Sequence, residues 1–491
     1  MLGVELNQSN MEYDINSLIS SFYPQDEVHI LTPLMGEGKQ KLYRDYVKIQ
    51  IELHEPTATL HTADTSFTWI YDRTQEGMEL TYKEGVKRFL YRTLRTLTGK
   101  DLPWGCLTGI RPTKLAYAML EEGLTQSTIE NTLSHKYYVS DPKISLSIRI
   151  AQKERAIAAR LPSKEDTYSA LRTGYSLYIG IPFCPTTCLY CSFLSQPISS
   201  SRVQAKQYVE SLLREARATA KLVHGEAPTC IYIGGGTPTA LDEESLEMLL
   251  RGVREIFDCT TLQEFTVESG RADSITREKL QILNRFGVDR ICVNPQTMNQ
   301  STLDLIGRRH TPDQVKEAFQ LAREVGFTNI NMDVITGLPG EGQTQIQHTM
   351  EAIAQLRPDS LTVHSLAIKR ASRMKEWVKD NTGEIRNTEA MMNVFAMGAE
   401  ELGMEPYYLY RQKNMAGNFE NTGYAVPGKE CLYNIFIMEE KQTIFALGAG
   451  TITKFVSEGK IVRQENAKDL ELYQKQIDET TEKRKILLST I

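Results

Sequence analysis

"SLYIGIPFCPTTCLYCSF" (176–193) joins an apolar, strand-like run to three of the chain's eight cysteines, Cys184, Cys188 and Cys191. A structural zinc site is closed by four ligands, usually in two separated pairs. The positions after Cys191 are Ser192 and Phe193, so no fourth ligand follows locally. A [4Fe–4S] cluster held by three thiolates on one tight loop leaves one iron open to a non-protein ligand. That reading competes with a partial zinc site or with three unrelated cysteines, and the strand directly before the loop favours it. Cys106, Cys230, Cys259, Cys292 and Cys431 are scattered and read as small buried hydrophobes.

Outward from the cysteines the chain repeats one rhythm. After "SLYIGIP" (176–182) come strand-like runs "TCIYIGG" (229–235), "EFTVES" (264–269), "RICVNPQ" (290–296), "INMDVITG" (330–337) and "SLTVHSLAI" (360–368). Amphipathic helical spacing fills 202–222, 243–257, 276–286, 312–325 and 343–356. Near-continuous apolar strands alternating with helices predict a parallel sheet covered by helices. Right-handed crossovers then place all six strand C-termini on one rim, where barrels of this kind carry function. The runs end in the cysteines, "GGGTPT", "ESGR", "PQT", "TGLPG" and the basic "KRASR".

The predicted fold is therefore α/β, a partial six-stranded (β/α)6 barrel over 171–380. An N-terminal α+β domain of unknown role precedes it (1–170), and a short extension follows (381–491) that completes or covers the active site. In the first region "YVKIQIELHE" (46–55) alternates as a half-buried strand, with "TATLHTA" and "TSFTWIY" as partners. A helix over 83–99 stops at Gly99, and another spans 143–160. Past a helix at 387–403, two short strands, a Gly-rich turn and a final charged helix are expected.

The 491 residues carry a net charge of −6, which argues against partners held by overall positive charge, nucleic acid included. There is no apolar run of membrane-spanning length and no signal-peptide pattern at the N-terminus, so the chain is expected in the cytoplasm, where thiols stay reduced.

"YIGIPFCPTTCLYCSF" resembles the radical S-adenosylmethionine (SAM) superfamily, and within it the oxygen-independent coproporphyrinogen III oxidase (dehydrogenase) family. Tyr178, Ile181, Pro182, Phe183, the three cysteines and Tyr190 fit the family pattern, while Gly180 stands where a His is usual. The likeness runs through 175–370 and more weakly to 455. It implies a [4Fe–4S] cluster on Cys184, Cys188 and Cys191, with SAM on the open iron. It also implies SAM contacts at Tyr178, Gly235 and Glu268, and a second set at Tyr190, Gly236, Thr237, Gln296, Arg308, Asp333 and Ala367, hence two SAM molecules. The family's Asn/Asp-Pro after the Glu is replaced by Gly270-Arg271. The long N-terminal region, "LPWGCLTGIRPTKL" and "YYLYRQKN" resemble the HemZ-type branch.

The resemblance implies that coproporphyrinogen III is oxidatively decarboxylated to protoporphyrinogen IX through a 5′-deoxyadenosyl radical, in haem (porphyrin) biosynthesis. The implied partners are this tetracarboxylate porphyrinogen and a low-potential electron donor such as flavodoxin or ferredoxin. Carboxylates call for guanidinium or ammonium anchors, and Arg271, Lys369, Arg370, Arg373, Arg411 and Lys413 are the candidates. Two rivals stay open. A haem-chaperone branch carries His-Asn-Leu where this chain has Tyr433-Asn434-Ile435. A radical SAM methyltransferase or cyclase would also suit a two-SAM pocket.

Overall fold

The structure, a computed structural model, describes the chain except residues 25, 75–76, 165–166, 201, 370, 382, 384, 413–414 and 416–418, and except the side chain of residue 200. It divides into two compact units: Met1–Gln152 with Tyr410–Glu420, and Lys153–Leu409 with Asn421–Ile491.

The first unit holds a five-stranded sheet of β1 (Leu2–Leu6), β2 (Val28–Leu31), β3 (Val47–His54), β4 (Thr57–His61) and β5 (Ser66–Ile70), in the order β2-β1-β3-β4-β5. The alternation expected for β3 is present, with Ile49, Ile51 and Leu53 buried between exposed neighbours. β1 and β2, which pair in parallel, lie in a stretch where no strands were expected. The helix Tyr82–Thr98 opens on a Thr81/Glu84 capping box and ends at Gly99 with φ 68°. Glu420, 2% exposed, fixes the returning segment: it accepts from Trp104 Nε1 at 2.8 Å and from Lys143 Nζ at 2.5 Å.

The second unit is built on the predicted rhythm. Its strands are β6 (Tyr175–Ile181), the short pair β7 (Phe183–Cys184) and β8 (Gln196–Pro197), then β9 (Cys230–Gly235), β10 (Glu264–Val267), β11 (Arg290–Cys292), β12 (Ile330–Thr336) and β13 (Ser360–Ser365). The six long ones, β6, β9, β10, β11, β12 and β13, pair in parallel in sequence order. Helices 202–222, 243–256, 277–285, 312–325 and 343–356 connect them. The strands are buried almost throughout, as a sheet covered by helices requires. The sheet stays open, as a partial barrel.

Two expectations need correction. The run 290–296 is a strand only to Cys292, because Pro295 has no N–H for a ladder and Gln296 turns to φ 65°, outside the β region. After 380 the described residues form five strands, not two: β14 (Glu405–Tyr410), β15 (Asn421–Ala425), β16 (Thr443–Leu447), β17 (Ile452–Ser457) and β18 (Lys460–Glu465). They extend both edges of the six to an eleven-stranded sheet, β14-β15-β13-β12-β11-β10-β9-β6-β16-β17-β18. β15 joins β13 antiparallel and β16 joins β6 in parallel. The final helix, Leu470–Thr490, is tied in by Arg484, which with Glu215 forms a fully buried ion pair at 2.9 Å.

Candidate functional site

The cysteine loop leaves β6 at its C-terminal end and is pinned from several sides. Leu189 N donates to Ile306 O at 2.9 Å, Thr186 Oγ1 to Gly307 O at 3.2 Å, and Met374 N to Leu189 O at 3.0 Å. Cys188 is buried, while Cys184 and Cys191 are half-buried. Desolvation is the first cause that pushes the thiols of Cys184 and Cys191 up, and neighbouring sulfur charge adds to it. Cations counter this: Arg271 acts on Cys184, and Arg308 and Lys369 on Cys191.

β9 ends beside that loop. Gly236 N donates to Ile181 O and Thr237 N to Phe183 O, both at 2.7 Å, so the glycine turn is stitched to the strand that carries the cysteines. A Cβ on Gly236 would lie 2.5 Å from Phe183 O and 2.8 Å from Ile181 O. No other residue fits there without moving backbone. Thr237 Oγ1 is 3.5 Å from Cys184 Sγ. The departure at Gly180 has a steric reason: a Cβ there would meet Thr451 Cγ2 at 2.6 Å, so this chain has no room for a histidine.

Carboxylates and amides follow along the rim. Glu268, just past β10, accepts from Tyr232 Oη, and its pKa is pushed up to about 7, first by desolvation. Asp333, within β12, accepts from Asn331 Nδ2 at 2.6 Å and Asn294 Nδ2 at 2.7 Å, with His364 Nε2 at 3.7 Å. Desolvation opposes its ionisation, yet His364 and Asn331 hold its pKa below the usual value. Gln296 pairs in backbone with β12, donating from N to Asp333 O and accepting from Ile335 N, each at 2.9 Å. A non-glycine residue at positive φ is strained, a cost met mainly at functional sites. Its Oε1 is buried without a partner, as is Arg308 Nε. The rest of Arg308 donates to Asn294 O at 2.6 Å and Tyr190 Oη at 3.2 Å. Ala367 follows β13, and Tyr178 lies on β6 in a stack with Tyr232 and Tyr433.

The basic candidates separate. Arg271 is 3% exposed and forked onto Asp273 at 2.9 and 2.7 Å, so it presents no open edge to a carboxylate ligand. Lys369 is half-buried, with Nζ 5.8 Å from the Phe193 ring. Arg373 is exposed and donates to Thr187 O at 2.6 Å, on the cysteine loop. Arg411 belongs to the first unit, buried, with Nη1 on Leu107 O at 2.8 Å. Arg370 and Lys413 lie outside the described residues.

Sequence reasoning passed over Tyr232, Asn294 and Asp273. Tyr232 lies on the strand that leads into the chosen Gly235, in register with the chosen Tyr178 on the neighbouring strand, and Asn294 lies two residues before the chosen Gln296.

Among the described residues no three His, Cys, Asp or Glu side chains converge tightly enough to hold a single metal ion. A four-iron cube asks for something else, since its thiolates bind at separate corners. The three sulfurs on one pinned loop, buried cations beside them, the side-chain-free cradle at Gly236 and the orphaned Gln296 Oε1 fit such a cluster and a polar ligand next to it. Among the described residues no helix is long and apolar enough to cross a membrane.

Residues 178–353 match the model of the Radical SAM superfamily. The chain is 39% identical over 419 residues to the oxygen-independent coproporphyrinogen-III oxidase-like protein HemZ of Bacillus subtilis, across 83% of this chain and 82% of that protein. It is 30% identical to the heme chaperone HemW of Lactococcus lactis, across 56% and 68%. The structure resembles coproporphyrinogen III oxidase HemN of Escherichia coli with a TM-score of 0.52 and 23% identity, over 66% of this chain and 72% of that one, a likeness of fold. The chain belongs to the radical SAM superfamily and, within it, to the HemZ-type family of coproporphyrinogen-III-oxidase-like proteins.

Proposed function

We propose that this protein oxidatively decarboxylates the propionates of coproporphyrinogen III to the vinyl groups of protoporphyrinogen IX. The observation that carries the reading is the meeting of the cysteine loop with the Gly236–Thr237 turn and with Arg308, in a chain 39% identical to HemZ. When bound, the cluster supplies SAM with one electron at low potential and so a hydrogen-abstracting radical. Cys184, Cys188 and Cys191 hold it.

The remaining residues bind and orient. Glu268 takes a cationic ammonium, the Gly235–Gly236 backbone lets a ligand approach without side-chain interference, and Tyr178 walls that place. Tyr190, Thr237, Gln296, Arg308, Asp333 and Ala367 line space for a second SAM. Lys369 and Arg373, and outside the described residues Arg370, hold the propionates. Each event removes one hydrogen atom from a propionate β-carbon, then releases carbon dioxide and passes one electron to an acceptor, leaving a vinyl group. A flavodoxin- or ferredoxin-like protein would be the electron donor.

A haem-chaperone reading has support in the likeness to HemW. Against it, Tyr433 occupies the position where that branch carries histidine. It is 5% exposed and stacked on Tyr232 with ring centroids 4.5 Å apart, so it offers no imidazole to iron. The test is anaerobic: reconstituted, dithionite-reduced protein with SAM and coproporphyrinogen III, followed by mass spectrometry. Formation of 5′-deoxyadenosine with loss of two carboxyl groups is expected. SAM cleavage with intact porphyrinogen would refute the substrate, and tight stoichiometric haem binding without a vinyl product would select the chaperone.

A further inference from the structure

Arg271 is more deeply placed than a ligand anchor, and its guanidinium points three ways. Nε and Nη2 form the fork onto Asp273. Nη1 turns to the cysteine loop, 3.1 Å from Thr186 Oγ1, 3.3 Å from Thr186 O and 3.6 Å from Cys188 Sγ. The last is a normal length for an N–H donor on sulfur. A buried guanidinium is costly unless its charge is matched, and the Asp273 carboxylate matches it while leaving one edge for the loop. Arg308, the other buried guanidinium of this region, directs its described bonds to Asn294 O and Tyr190 Oη and makes none to a cysteine sulfur. His310, 0% exposed and 4.0 Å from Asp273 Oδ1, adds no charge near neutral pH, because burial lowers its pKa to about 4.

We infer that Arg271 is a positioning residue for the cluster, held by Asp273 so that its Nη1 hydrogen-bonds the Cys188 sulfur and raises the reduction potential of the cluster bound there. The inference rests on the proposed cluster reading and deepens it. Reduction adds negative charge that spreads onto the thiolate sulfurs. A donor and a positive charge at one sulfur therefore stabilise the reduced form more than the oxidised one. Asp273 acts in the opposite sense through its own charge. The pair is thus a dipole whose positive end faces the cluster loop.

The experiment is an anaerobic redox titration of the reconstituted full-length protein without SAM, followed by electron paramagnetic resonance, with iron and sulfide counted per chain. Arg271→Gln is expected to keep the iron count and to raise the oxidised-to-reduced ratio at fixed potential about tenfold, the weight of one charge-assisted hydrogen bond. For a one-electron couple that is about 59 mV more negative. Asp273→Asn, which keeps the guanidinium and removes the countercharge, is expected to shift the midpoint the other way. A structural role alone does not produce opposite signs. If both variants titrate with the wild-type midpoint, or both shift in the same direction, the inference is overturned while the cluster reading stands. If Arg271→Gln takes up no iron, the direction of the Asp273→Asn shift decides. If the wild-type protein assembles no four-iron cluster, the underlying reading fails and this inference with it.

Discussion

Replacing Glu268 by Gln tests the electrostatics of the site without any cofactor. Desolvation pushes this carboxyl from its ordinary 4.5 up to about 7, against the hydrogen bond from Tyr232. The folded state therefore holds the proton where the unfolded chain releases it. The associated stability is fully present below about pH 4.5 and is lost as pH rises through about 7. That difference corresponds to about 3 kcal/mol, and because the carboxylate is partly open to solvent we expect about 2 kcal/mol. Gln keeps the shape and an acceptor for Tyr232 and removes the charge. At pH 8 the Glu268→Gln protein should be about 2 kcal/mol more stable than wild type, with no gain near pH 4.5. Urea denaturation read by hydrogen–deuterium exchange of peptides covering β10 isolates the second unit from the first. Equal stability of the two proteins at pH 8, or an equal gain at both pH values, would refute the reasoning. The same charge predicts that a cationic ligand at Glu268 binds more tightly as pH rises to about 7 in wild type, and independently of pH in the variant.

Arg484→Met should destabilise the second unit by about 3–5 kcal/mol, because it strands Glu215 at 0% exposure. The double replacement Glu215→Leu/Arg484→Met should recover much of that loss in the same denaturation assay, and a double variant as weak as the single one would argue against an unpaired charge as the cause. Gly236→Ala forces a Cβ against Phe183 O and Ile181 O, the backbone that leads into Cys184. We expect a loss of about 1–3 kcal/mol in stability and a reduced iron content after reconstitution. Unchanged iron content would show that the cradle tolerates displacement.

Some of this protein is local in the chain and so is readable from it. The spacing of Cys184, Cys188 and Cys191 is set within one loop. The strand and helix periods of 176–368 are properties of consecutive side chains, and the five predicted helices there lie within one residue of the observed ones. The parallel order follows because each strand is joined to its neighbour by a helical crossover. What escaped was set by contacts between residues far apart in sequence. Arg271 reads as a carboxylate anchor in "ESGR", and only the approach of Thr186 and Cys188, about eighty-five residues earlier, ties it to the cysteine loop instead. The short strands expected after 380 read as an extension that completes or covers the site, and only the pairing of β16 with β6 shows which edge of the six strands it joins. Gly180 looks like a missing histidine until Thr451 is found in the space that a side chain would need. The sequence by itself determined the period of the strands and the chemistry of the loop, because both depend on near neighbours. The tertiary structure decided which charges are buried and which sulfur they face, because burial depends on whatever distant segment the fold brings against them.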